Sequence, residues 1–122
     1  MKFLRLLCTL LVVTATTAFA QDWPRKPVRV VVANSTGSLS DLMARLVFAE
    51  VAKNLGQAFV IENKPGAGGS IASAEVAKAA PDGYTVMYAS DGQLTINPFI
   101  YSKLGYDPLR DFAPVSLVCK IT

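Results

Sequence analysis

The run Val28-Arg29-Val30-Val31-Val32 constrains this chain more than any other five residues. Four of its positions are β-branched and apolar, which suits a strand covered on both faces rather than one half in water. Strands of that kind belong to parallel sheets, whose neighbours are joined by a crossover, usually helical. The sequence supplies such crossovers. Asn34-Ser35-Thr36-Gly37-Ser38 is a polar loop, and from Ser40 to Leu55 the pattern is helical. Leu42, Leu46, Ala49, Ala52 and Leu55 recur at three- and four-residue steps, with Asp41, Arg45 and Lys53 between them. Ser38 or Ser40 caps the start, Asp41 suits the positive end of the helix, and Gly56 stops it.

Phe59-Val60-Ile61 is a second short strand. It runs into a loop from Glu62 to Gly69, too rich in Gly and Pro for anything else. Ser70 to Ala80 is Ala-rich and helical, ended by Pro81-Asp82-Gly83. Tyr84 to Ala89 is a third strand with the polar exit Ser90-Asp91-Gly92. A short helix is expected over Asn97 to Lys103 and a fourth strand over Phe112 to Val118. This order predicts an α/β fold: right-handed βαβ units, a mainly parallel sheet and flanking helices.

The first twenty residues stand apart. Lys2 and Arg5 precede the apolar run Leu6 to Val13, and Ala18-Phe19-Ala20 has the small-x-small form that signal peptidase accepts. The expectation is a secretory signal over 1–20, cleaved after Ala20, and one mature domain over 21–122. A retained membrane anchor is the alternative, but the apolar run falls short of the roughly 20 residues a span needs. Without Lys2 and Arg5, ten cations remain against nine acids, all of them beyond Ala20. The net charge of +3 thus falls to +1, which removes the compositional case for nucleic-acid binding. Cys8 leaves with the signal, so Cys119 has no disulfide partner and reads as a core thiol of the fourth strand.

In an open parallel sheet, ligands sit beyond the carboxyl ends of the strands, beside helix N-termini. Three loops occupy that edge: Asn34–Leu39, Asn63–Gly69 and Ser90–Gln93. They carry hydroxyls, amides and glycines, a composition that binds an anion such as a carboxylate with backbone N–H groups and no cationic side chain. Helix capping by itself accounts equally well for each loop taken separately.

Other chemistries fit less well. A dinucleotide fingerprint in Gly66-Ala67-Gly68-Gly69 would place glycine at Ile71, and a P-loop would need Lys after the last glycine, where Ser70 stands. No histidine occurs, so the usual general base and the commonest metal ligand are missing, and no cofactor is called for. Asp41 and Asp91 read as a helix-start acid and a turn residue rather than a catalytic pair. Trp23 reads as a packing anchor, and Tyr101 and Tyr106 as surface-facing covers of the core.

Several ordered blocks resemble one family. Trp23-Pro24-x-Lys26-Pro27-Val28-Arg29, Glu62-Asn63-Lys64-Pro65-Gly66-Ala67-Gly68-Gly69 and Ala77-Lys78-Ala79-Ala80-Pro81-Asp82-Gly83-Tyr84-Thr85 are similar to blocks of tripartite tricarboxylate transporter receptors, the Bug family of extracytoplasmic solute receptors. Asn97-Pro98, Leu104-x-Tyr106-Asp107-Pro108 and Asp111-Phe112-Ala113-Pro114-Val115-Ser116 continue the likeness.

The resemblance implies a periplasmic receptor of type II binding-protein fold, with two lobes closing on a small organic anion. That anion would be a di- or tricarboxylate or an acidic amino acid, handed on to membrane permease subunits. It also implies that Ser35, Thr36, Gly37, Ser38 and Leu39, together with Gly66, Ala67, Gly68 and Gly69, grip the carboxylate, and that Ser90, Asp91 and Gly92 join the same cleft. The family's first loop usually reads Pro-Phe-x-Pro-Gly-Gly-x-x-Asp. Here Ala33-Asn34-Ser35-Thr36-Gly37-Ser38-Leu39-Ser40-Asp41 keeps one glycine and the acid but lacks both prolines. On this likeness the chain corresponds to a truncated first lobe. Two alternatives stand beside the binding reading: a non-binding product of an interrupted receptor gene, and a secreted α/β enzyme fragment.

Overall fold

The computed structural model describes residues 23–120. The expected cleavage point between Ala20 and Gln21 lies outside them. Three strands form a parallel sheet in the order β2-β1-β3: β1 Val28–Val32, β2 Phe59–Asn63 and β3 Thr85–Tyr88. The valine-rich run is the central strand, and Val28, Val30, Val31 and Val32 are fully buried. Helix α1 Leu39–Leu55 connects β1 to β2, and α2 Ser70–Ala77 connects β2 to β3.

The alternation of side chains along β1 assigns the two faces. Val31 points to the α2 side, where it forms a core with Ala33 and Ala72, covered by Val76 and Met87. The opposite face carries α1, whose Phe48 stacks on Phe59 of β2 with ring centroids 5.4 Å apart. Arg29 shares the Val31 face and is the one polar break in β1. It is accommodated by Glu62 of β2, at 2.5 Å from Nε, and by Glu75 of α2. Lys64 joins both acids, at 3.2 Å from Glu62 and 2.5 Å from Glu75, which closes a four-membered ring of alternating charge over the sheet.

Several expectations need correction. The leucine stripe chosen for α1 points the wrong way: Leu42 and Leu46 are exposed, whereas Asp41 and Ala44 are buried. Apolar side chains fall on every side of the helix, with polar ones spread among them, so periodicity alone did not single out the inward face. Strand β2 extends two residues further than expected, to Asn63, because Glu62 and Asn63 pair with Val31 and Val32. Helix α2 stops at Ala77 rather than Ala80. No strand forms over 112–118; Val115 and Leu117 are exposed there, since an apolar run becomes a strand only against a partner. Cys119 is consequently an exposed thiol and not a core one. Tyr106 is buried, not surface-facing. Trp23 remains partly exposed, packed at a tilt against Tyr84 with centroids 6.2 Å apart.

Past β3 the chain enters a wide π-helical turn, Gly92–Ile96, continuous with the short helix α3 Asn97–Ile100. Among the described residues no helix is long and apolar enough to cross a membrane.

Candidate functional site

Because all three strands run parallel, their carboxyl ends, Val32, Asn63 and Tyr88, lie at one edge. The loops that follow them meet there, and side chains lock each loop to the next.

The first loop is organised around a buried acid. The Ser38 hydroxyl caps α1 by accepting from the Asp41 amide at 3.3 Å. The Asp41 carboxylate in turn accepts from the Gly37 amide at 2.8 Å and from Asn63 Nδ2 at 3.1 Å, and pairs with Arg45 at 3.0 Å. The Arg45 guanidinium, with help from the Gly37 amide and Asn63, holds its pKa down at about 2. The residue expected as a helix-start acid is thus the tie between the first loop and β2. Asn63 also donates to the Asn34 carbonyl at 3.0 Å, and its Oδ1 accepts from Thr36 Oγ1 at 3.1 Å and from Arg45 at 3.2 Å.

The second loop contains a tight turn. Gly66, Ala67, Gly68 and Gly69 all have positive φ, at 134°, 46°, 61° and 86°. The Gly69 amide bonds the Gly66 carbonyl at 2.8 Å, and the Ser70 amide bonds that of Ala67. Those bonds close the turn without the amides of Ala67 and Gly68, which stand at its open end. Gly69 is the buried member. A Cβ on it would lie 2.9 Å from Cβ of Ala33 and 2.3 Å from Nε2 of Gln93, so its bare Cα lets the turn seat between β1 and the third loop.

A buried polar cluster anchors that turn from the far side. The Gly68 carbonyl accepts from Gln93 Nε2 at 3.2 Å and Asn97 Nδ2 at 3.0 Å. Gln93 Oε1 accepts from both the amide and the hydroxyl of Ser90, each at 2.8 Å. The Tyr106 hydroxyl donates to the Gln93 carbonyl at 2.6 Å, and Asn97 also reaches Ser70 Oγ at 3.1 Å. Gln93 therefore joins the second loop to the third.

The expected site residues divide accordingly. Ser35, Thr36, Gly37, Leu39, Gly66, Ala67, Gly68 and Asp91 are exposed at this edge; Ser38, Ser90 and Gly92 are half-buried, and Gly69 is internal. Asp91 turns its carboxylate back on the Gly92 amide at 2.9 Å. From the sequence, Gln93 counted only as the last residue of the third loop, Asn97 had no role and Tyr106 only a surface one. The four-residue spacing of Gln93 and Asn97, one helical face, was the available signal. A wide hollow of about 1700 Å³ runs along α1, β3 and residues 112–120 and only grazes the loops at Leu39, Ser90 and Asp91. It is apolar and too wide for a small anion, unlike the small-residue edge.

Comparison with known proteins bears on this edge. The profile described as the tripartite tricarboxylate transporter family receptor matches residues 43–122. A UPF0065 protein of Bordetella bronchiseptica is 45% identical over 109 residues, which are 89% of this chain and 32% of that protein. The structure of a Rhodopseudomonas palustris protein with adipate superposes with TM-score 0.69 at 40% identity, covering 71% of this chain and 29% of that one. MatC from the same organism, with bound malate, gives TM-score 0.66 at 42% identity over 79% and 33%. The chain spans about a third of the length of the curated relatives it matches.

Proposed function

The chain belongs to the tripartite tricarboxylate transporter receptor family, and from that premise we propose that it serves as a periplasmic solute-binding receptor component rather than an enzyme. Its solute is a small carboxylate, held by the polar groups of Ser35–Leu39, Gly66–Gly69 and Ser90–Gly92 and passed to membrane permease subunits. The observation that carries this reading is the convergence of the three loops at one sheet edge, cross-tied by Asn63 and Gln93. Their polar groups are fixed before any solute arrives, which lowers the ordering cost of binding. Amides at helix starts carry partial positive charge suited to a carboxylate. The relatives solved with adipate and with malate hold ligands of this class. In the same reading the product crosses the inner membrane on its leader, is cut between Ala20 and Gln21, and folds as one unit over 21–122.

A second reading, in which the chain binds nothing by itself, draws on the exposure of Phe99, Leu109, Val115 and Leu117, an apolar surface larger than single scattered residues would give. Calorimetric titration with a panel of di- and tricarboxylates and acidic amino acids decides between them. Saturable binding of any member supports the receptor reading; no heat from the whole panel supports the second.

A further inference from the structure

Resting on the receptor reading above, we propose that Gln93 turns the Ser90 hydroxyl into an acceptor only, and that the solute is therefore a carboxylate carrying a hydroxyl or ammonium donor. The argument is one of hydrogen bookkeeping. The Gln93 side chain is buried, and one end of its amide faces the Gly68 carbonyl at 3.2 Å. A carbonyl can only accept, so that end is the nitrogen and the oxygen faces Ser90. Gln93 Oε1 then takes the Ser90 amide hydrogen and the single hydroxyl hydrogen, each at 2.8 Å. What Ser90 has left for a solute is lone pairs.

An ionised carboxylate also has only lone pairs to offer, so it is repelled at Ser90, whereas a hydroxyl or ammonium hydrogen is welcomed. The same logic reaches the first loop. Asn63 Nδ2 is pinned by two acceptors, the Asp41 carboxylate and the Asn34 carbonyl, so Oδ1 must receive the Thr36 hydroxyl hydrogen. Ser38 has the opposite polarity: its oxygen accepts from the Asp41 amide, which leaves its hydrogen to give. The edge thus offers donors at Ser38 and at the open end of the glycine turn, and acceptors at Ser90 and Thr36. Thr36 is exposed and shares its lone pairs with water; half-buried Ser90 carries most of the discrimination.

L-malate and succinate differ by one hydroxyl and make the test, with L-aspartate supplying the ammonium version. Titrating each into the full chain should give malate and aspartate about tenfold tighter than succinate, the worth of one hydrogen bond. Ser90→Ala should bring the malate-to-succinate ratio to within about twofold of one, with a cooperative ligand-free circular dichroism melt showing that the variant is folded although it has lost its hydroxyl bond to Gln93. Succinate binding as well as malate overturns the inference whatever the variant does, as does a preference that survives Ser90→Ala in the folded variant. Binding of none of the three acids overturns this inference; the receptor reading falls with it only when the wider panel of di- and tricarboxylates and acidic amino acids gives no heat either.

Discussion

Asn63 closes β2 by giving its side-chain nitrogen to the buried carboxylate of Asp41, 3.1 Å away, while the same nitrogen reaches the Asn34 carbonyl beyond β1. One amide thereby fixes two neighbouring loops. Asn63→Ala removes four side-chain bonds and leaves a buried carboxylate short of a donor. We expect a loss of about 2 kcal/mol in urea unfolding, since stranding a buried partner costs more than the bond itself contributes. A loss under about 0.5 kcal/mol would show that water replaces the amide without cost.

Two glycines separate conformational from steric demand. Gly37 and Gly69 have nearly equal φ, 82° and 86°, but a Cβ on Gly37 meets nothing within 4 Å, whereas on Gly69 it collides with Gln93 and Ala33. Gly37→Ala should cost about 1 kcal/mol, the left-handed penalty alone. Gly69→Ala should cost about 2–4 kcal/mol, because overpacking adds to that penalty. Equal costs in parallel denaturation curves would place the turn away from β1.

Acid should destabilise the chain through identifiable groups. Asp41 is held at about 2 by Arg45, against an ordinary 3.8. Glu62 is held at about 2 by Arg29, with Lys64 assisting, against 4.5, and Glu75 is lowered by Lys64 and Arg29. All three are depressed in the folded state, so their contribution is present above the unfolded pKa and is lost as pH falls through the folded one. Thermal midpoints should therefore hardly change from pH 7 to 5 and fall between about pH 4.5 and 2. Glu62→Gln should lower the neutral-pH midpoint and flatten that decline. A midpoint independent of pH down to 2.5 would contradict the pairing.

The Tyr106 hydroxyl is buried and donates to the Gln93 carbonyl at 2.6 Å. Tyr106→Phe keeps the ring that meets Phe112 edge-on and removes that hydrogen bond together with the longer one, 3.4 Å, that the hydroxyl accepts from Asn97 Nδ2. About 1–2 kcal/mol should be lost in chemical denaturation. A neutral substitution would mean that Gln93 is held by its side-chain bonds alone.

The parts legible in sequence were those governed by local rules. The valine run announced a parallel strand covered on both faces, Ser38 or Ser40 and Gly56 were expected to bound α1, and the three polar loops were expected at one edge, where β1, β2 and β3 in fact deliver them. What escaped depended on contacts between distant residues. Helix α1 carries apolar side chains on every side, so its buried face is decided by the sheet beneath it and by an acid, Asp41, that tertiary bonds draw inward. Gln93 and Asn97 look like ordinary helix residues until the Gly68 carbonyl is brought to them, and Tyr106 like a loop residue until its hydroxyl meets the Gln93 carbonyl. Residues 112–118 have the composition of a strand but pair with no strand among the described residues, which composition cannot reveal.

The run of positive φ from Gly66 to Gly69 has a stereochemical consequence. Ala67 is its only chiral member, and at φ 46° it is an L-residue in a conformation natural to the opposite enantiomer. In a chain assembled by chemical ligation, D-alanine at that single position would relieve the turn without altering its shape. The handedness of this stretch belongs to the fold around it rather than to the residues that compose it.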